Sequence, residues 1–222
     1  MNTHAAYWIA LLLLAVPMQI ATTGEKKMAG FSKADLGKLP TGWKVEHTGK
    51  GGTGAWKVIA DATAPSKSGH ALAQVGESPG PVYNICVADT AQPKNLEVSV
   101  HFKSIKGKRD QGGGIVWRYI DADNYYVARF NPLENNYRLY KVVAGKRTQL
   151  ATAEELVVTE GQWHKLTIRM LGDSIECHLN GKKILEAKDN ALANAGKIGL
   201  WTKADAQTAF DLFAVEGVVT KE

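Results

Sequence analysis

The sequence predicts an all-β fold, two antiparallel sheets packed as a jelly-roll sandwich. Three observations carry this. Nearly every segment alternates apolar and polar residues, the period of a half-buried strand. Turn chemistry separates those segments at Asn180-Gly181, Gly172-Asp173 and Ala144-Gly145, and glycine reaches 22 of 222 residues. No long amphipathic helical pattern occurs, and the nearest is the six residues ATAEEL from Ala151 to Leu156. Hydrophobic residues make up 45% of the chain, enough for a substantial core in one large domain.

The chain opens on WIALLLLAV, Trp8 to Val16, an apolar run of signal-peptide length that is too short to cross a bilayer. Small and polar residues follow at Ala21-Thr22-Thr23-Gly24. Residues 1–24 are therefore expected to be an export signal. Residues 25–222 remain as one domain, periplasmic or extracellular, with no membrane span after cleavage.

Strands are expected near 42–47, 55–61, 70–76, 82–88 and 96–104, then 113–120, 125–131, 137–143 and 147–151. The series ends with 164–171, 174–180, 183–187, 197–203 and 209–216. In NLEVSVHFK, Leu96, Val98, Val100 and Phe102 face inward and Glu97, Ser99, His101 and Lys103 outward. HKLTIRML repeats the pattern with Leu166, Ile168 and Met170 inside. LNGKKI places Asn180-Gly181 between two strands, a strong short-hairpin signal.

The two cysteines, Cys86 and Cys177, leave two alternatives open: a bridge, which export would permit, or two separately buried thiols. Two cysteines alone make no zinc site. The net charge of +5 is scattered, and with no focused basic patch or motif a nucleic-acid partner is not expected. Nothing in the sequence speaks to oligomeric state.

The densest chemistry lies in GGGIVWRYIDADNYYVARFN, Gly112 to Asn131. Tyr126, Ala128 and Phe130 make a core face, and Tyr125, Val127, Arg129 and Asn131 the opposite one. The next strand adds Arg138, but the five-residue link PLENN leaves open whether Arg138 or Lys141 lies beside Arg129. A sugar offers apolar C–H faces to aromatic rings and hydroxyls to Arg, Asn and Glu. Trp117, Arg118, Tyr125, Arg129, Asn131, Glu134, Asn136, Arg138 and Trp201 are residues of those types and the candidate saccharide site, with arginine suited to acidic sugars. The bland alternative is that strands favour Tyr and Trp and that Arg129 merely pairs across strands.

Catalytic signals are sparse. Glu97, Asp110, Asp121, Glu134 and Glu176 are isolated carboxylates, and no strand carries a paired set for retaining glycoside hydrolysis. His101, His164 and His178 fall on polar strand faces with no triad around them. DADN at 121–124 lacks the glycine and closing glutamate of an EF-hand and reads as a turn. Asp211, among apolar neighbours, is a satisfied structural carboxylate or the side-chain ligand of a structural calcium. No other cofactor is expected.

The order GGGIVWRYIDADNYYVARFNPLENNYRLYKVVAGKRTQL, WHKLTIRMLGDSIECHLNGKKILEAKD and GKIGLWTKADAQTAFDLFAV resembles exported bacterial domains of the concanavalin A-like, laminin-G-like jelly-roll superfamily. It is most similar to the family described as 3-keto-disaccharide hydrolase, over roughly residues 40–217. The resemblance implies two curved sheets of the lectin and glucanase type, with a concave face that meets saccharides. It marks Trp117, Arg118, Tyr125, Tyr126, Arg129, Asn131, Glu134, Asn136, Arg138 and Trp201 as distinctive. The superfamily's laminarinase-type enzymes use paired carboxylates on one strand, which this chain lacks. Three functions follow as expectations: a lectin-like saccharide-binding domain, a keto-sugar hydrolase with Glu134 as acid/base, or an envelope structural or protein-interaction domain.

Overall fold

The computed structural model describes residues 20–22, 27–52, 54–89 and 93–220. Two short strands, β1 (Ile20–Thr22) and β2 (Lys27–Ala29), and a 3-10 turn at Lys33–Asp35 come first. Then follow β3 (Trp43–Thr48), β4 (Trp56–Ala60), β5 (His70–Gln74), β6 (Tyr83–Ala88), β7 (Leu96–Lys106), β8 (Gly113–Asp121) and β9 (Asn124–Asn131). The remaining strands are β10 (Asn136–Val143), β11 (Lys146–Ala153), β12 (His164–Leu171), β13 (Ser174–Leu179), β14 (Lys182–Lys188), β15 (Lys197–Lys203) and β16 (Gln207–Thr220). Every strand expected from alternation is present. ATAEEL is not helical: Ala151–Ala153 complete β11 against β10, and the rest is irregular. A helix of six residues cannot offset its nucleation cost, and pairing with β10 wins. Of residues 1–24, only Ile20–Thr22 lies among the described residues, paired with Val218–Thr220 of β16.

One sheet runs β14-β13-β12-β7-β16-β5-β4, with β1 and β2 also on β16. The second runs β11-β10-β9-β8-β15-β6-β3. β10 and β11 lie over β14, β8 over β7 and β12, and β15 over β16, so the sheets stack along their length. Between them Phe102 meets Phe130, Trp56 meets Phe210, and Trp117 stacks on Tyr126 at 5.6 Å. The inner face of β9 is Tyr126, Ala128 and Phe130, as the alternation predicts.

Two expectations are corrected here. Trp117 is a core residue, not a ligand contact: it is fully buried and its indole N–H meets the Met170 sulfur at 3.0 Å. Arg118 is structural too. A bulge breaks the β8–β9 register after Trp117, and Arg118 there has φ 46°. This turns its guanidinium into the sandwich end, where it donates to the Lys94, Gly172 and Leu192 carbonyls at 2.8–3.3 Å. One cation thus satisfies carbonyls from three loops.

The cysteines are free and buried. Cys177 sits on β13, at the end of the sandwich where β10 and β11 lie over β14, while Cys86 sits on β6, beside the opposite edge strand. They lie in different sheets and several strands apart laterally, and that offset puts them beyond disulfide reach. Burial pushes both thiols far up from their ordinary range, so neither is a ready nucleophile.

Replacing Arg118 with Met should leave the buried Leu192 carbonyl and the part-buried Lys94 and Gly172 carbonyls short of a donor and cost about 2 kcal/mol of unfolding free energy. Urea denaturation checks this, and a loss within error of zero would remove Arg118 from the list of tertiary anchors.

Candidate functional site

The outer face of the second sheet is built from every second residue. The β9–β10 register places Arg138 opposite Arg129, Asn136 opposite Asn131 and Tyr140 opposite Val127. β8 brings Gly114 opposite Arg129 and Val116 opposite Val127, and Trp201 of β15 faces Gly114. So it is Arg138 and not Lys141 that lies beside Arg129; Lys141 instead pairs with Asp189 at 2.5 Å.

This face is strongly concave. Tyr83 on β6 and Tyr140 on β10 stand four strands apart in the sheet order, about 19 Å in a flat sheet. Yet the Arg147 guanidinium lies over both rings, at 4.9 and 4.3 Å from their centroids. A cation bridging two aromatic faces is a favourable pairing, and here it spans the hollow. Tyr125 and Trp201 are buried in the aromatic cluster that contains Tyr140 and has Tyr83 packed against it. Tyr83 packs 5.3 Å from Trp201, and the Tyr125 hydroxyl bonds Thr48 Oγ1 at 2.8 Å. The expected stacking platform of Tyr125 and Trp201 is therefore a filled aromatic floor, because the curl of the sheet presses the rings onto one another.

The other end of the hollow is polar. Arg129 is 3% exposed on its strand. Its Nη1 donates to Asn136 Oδ1 at 2.5 Å and its Nη2 to Glu134 Oε2 at 2.7 Å. Asn136 Nδ2 donates to the same Glu134 oxygen at 3.1 Å, and Arg138 stands 3.7 Å from it. Opposed arginines would repel; Glu134, on the four-residue turn between them, offsets that. Arg138 also reaches the exposed Glu154 at 3.2 Å, a contact worth little in open solvent. Among the described residues the bonds to Glu134 all fall on Oε2, which leaves Oε1 open.

Asp110 joins this end. Its Oδ1 accepts the Gly112 N–H at 2.7 Å. Asp205 in turn accepts the Lys108, Arg109 and Asp110 N–H groups and fixes the loop. The glycine run explains itself here. A Cβ on Gly112 would meet Asp110 Oδ1 at 2.8 Å, and one on Gly114 would meet Ala128 O at 2.6 Å and Arg129 Cβ at 2.9 Å. On the inner side, a Cβ on Gly113 would strike Phe102 and Thr208 at 2.9 Å. The missing side chains are the room in which Asp110, Arg129 and the core rings sit.

The two carboxyls are pushed apart. Burial raises Asp110, against the pull of Arg129, the Gly112 N–H and Lys203, and Glu134 adds to the rise. Burial also raises Glu134, but Arg129, with Asn136 and Arg138, outweighs it and holds Glu134 below the usual range.

From the sequence alone Asp110 is an isolated carboxylate, and Lys203 and Arg147 do not stand out. The signals were present: Asp110 stands two residues before Gly112, in Asx-turn spacing, and Lys203 shares the alternation phase of Trp201. Asp211 is fully buried; its Oδ2 accepts the Ser66 N–H at 2.8 Å and its Oδ1 has no partner among the described residues. No group of three or more His, Cys, Asp or Glu able to hold a metal occurs among the described residues. A calcium there would need this carboxylate and main-chain carbonyls.

Two antiparallel sheets with one concave outer face define a concanavalin A-like jelly roll of the lectin and glucanase type. Solved structures agree on the fold. The carbohydrate-binding module CBM66 from Bacillus subtilis superposes with a TM-score of 0.63 at 17% identity, over 85% of this chain and 100% of that one. Bacillus licheniformis β-glucanase gives 0.56 at 14%, over 88% and 99%. The VIP36 exoplasmic/lumenal domain, in its Ca2+/Man-bound form, gives 0.55 at 11%, over 88% and 89%. The chain belongs to the 3-keto-alpha-glucoside-1,2-lyase-like domain family, whose model matches residues 33–215. No curated protein matches.

Gly114→Ala should force Ala128 O and Arg129 apart and cost about 2 kcal/mol. Chemical denaturation reads the loss, and an unchanged midpoint would mean that the β8–β9 pair yields freely.

Proposed function

We propose that this is an exported saccharide-recognition domain whose ligand sits at the polar end of the concave face. The observation that carries this is the held arginine: Arg129 is nearly buried, fixed by Glu134 and Asn136, and flanked by Arg138 and Asp110. Convergent, preorganised donors and acceptors in a hollow are what a hydroxyl-rich ligand requires. The fold neighbours named for carbohydrate binding support it. With Tyr125 and Trp201 buried beneath Tyr83 and Arg147, polar contacts carry recognition more than ring stacking does. The positive groups Arg129, Arg138 and Lys203 favour electron-rich oxygens, those of carbonyls and carboxylates.

A second reading is catalytic, and the open Glu134 Oε1 together with the family match favours it. In a 1,2-elimination from a 3-keto-glucoside, Glu134 Oε1 would take the C2 proton. The C2–H electron pair becomes the C1=C2 double bond, the C1–O bond breaks with its pair on oxygen, and the leaving oxygen takes up the proton that Glu134 removed. The nearby cations would stabilise the enolate oxygen that forms on the way. No oxidant or second substrate is needed.

Calorimetric titration of residues 25–222 with neutral, acidic and keto-sugars tests both. Arg129→Ala should weaken binding roughly tenfold or more, since it removes a charged donor and strands Glu134. Binding unchanged by that substitution would overturn the site. Product analysis on the same samples separates the readings: release of aglycone that Glu134→Gln abolishes makes the domain a lyase, and a bound but intact sugar makes it a lectin-like module.

A further inference from the structure

The outer face of the first sheet carries a groove of its own. On β7 the alternation that sends Phe102 into the core sends Lys103 and Ile105 outward. Beside them, where β4 ends and its loop begins, opens a groove of about 500 Å³ lined by Ile59, Asp61, Ala62, Lys103, Ile105 and Gly161. Arg129 belongs to the other sheet, so the groove and the concave face look away from each other.

One ion pair in this groove is locked in place. Lys103 Nζ pairs with Asp61 Oδ2, donates to Thr63 Oγ1 at 3.0 Å and lies 5.0 Å from the centroid of the Trp163 ring. Thr63 donates its hydroxyl and its N–H to Asp61 Oδ1, at 2.6 and 2.9 Å, and accepts the Trp163 indole N–H at 3.0 Å. The Lys103 and Asp61 side chains are 15% and 9% exposed, so the pair is fixed and still reachable. Burial alone would raise Asp61, but the bonds from Lys103 and Thr63 outweigh it and hold the carboxyl below its usual range, an acceptor only. The rest of the lining is largely aliphatic, with Ile105 exposed and Ile59 half-buried.

An ammonium offers three N–H donors, and each carboxylate oxygen offers two lone pairs. Lys103 uses donors on Asp61 and Thr63, and Asp61 Oδ2 accepts from Lys103. A donor and an acceptor are left side by side at the groove. A hydroxyl both donates and accepts, so two hydroxyls on adjacent carbons complete the set: one accepts from Lys103 and the other donates to Asp61. The isoleucines suit the C–H face of the ring that carries them. A charged ligand fits worse, because an anion meets Asp61 and a cation meets Lys103. We propose that this groove is a second saccharide site, which takes the vicinal diol of a neutral pyranoside. It goes beyond the concave-face reading and does not depend on it. With two sites on opposite faces, one domain holds two saccharide segments at once and gains avidity for a glycan surface.

The test titrates isotope-labelled protein and follows the Trp163 indole N–H by NMR, the signal being assigned by its loss in Trp163→Phe. The probes are the methyl pyranosides of glucose, mannose and galactose, with tetrahydropyranylmethanol as a ring that has no diol. At least one glycoside should shift the signal saturably, and the diol-free ring should bind at least about tenfold more weakly. Lys103→Met and Asp61→Asn should each weaken glycoside binding about tenfold, with thermal unfolding confirming that they fold. If neither folds, Ile105→Ser at its exposed position carries the test and should weaken binding severalfold. No saturable shift with any glycoside would overturn this site and leave the concave-face reading standing, since that reading is tested at Arg129. An equal response to the diol-free ring would overturn it too, reducing the groove to an apolar contact. Affinity unchanged in the variants would place the diol elsewhere and overturn it as well.

Discussion

Arg129 is a cation held on a strand at 3% exposure, and much of the second sheet is arranged around that cost. A charge removed from water must be paired and hydrogen-bonded or it is expelled. Glu134 and Asn136 supply the bonds from the turn and the next strand, and Gly114 supplies the space. Asp110 lies over Gly112 in the same neighbourhood and responds to the same cation. Removing any one of these leaves the others wrong: without Arg129 the negative charge of Glu134 bears on Asp110 uncompensated, and Arg129 without Glu134 faces Arg138 across the ladder.

The hollow is divided by chemistry as well as by geometry. One end is filled by Tyr83, Tyr125, Tyr140 and Trp201 under the Arg147 guanidinium, which holds rings from distant strands together. This end maintains the curl. The other end keeps polar groups in place with bonds to spare. Packed rings on one side and anchored polar atoms on the other give a rigid floor, and rigidity lets a few hydrogen bonds select a ligand.

Arg118 shows how the same residue type serves a different purpose eleven positions away. It follows a bulge, points into the sandwich end and donates only to carbonyls. It needs no carboxylate because neutral acceptors from three loops surround it, and it draws those loops together.

Residue order alone carries the all-β class, the main strands and the inward face of β9, because a period of two is a local pattern. It also picked Arg129, Asn131, Glu134, Asn136 and Arg138, which the structure brings together. It could not tell that Trp117 faces the core, that the bulge diverts Arg118, or that Tyr125 and Trp201 are covered. Those outcomes depend on curl, register and a bulge, and are set by contacts between strands far apart in the chain. Nor could it place Asp110, whose carboxylate reaches the site through the space left by Gly112. Periodicity is a local property of residue order; convergence of side chains in a hollow arises only once the sheet has paired and curled.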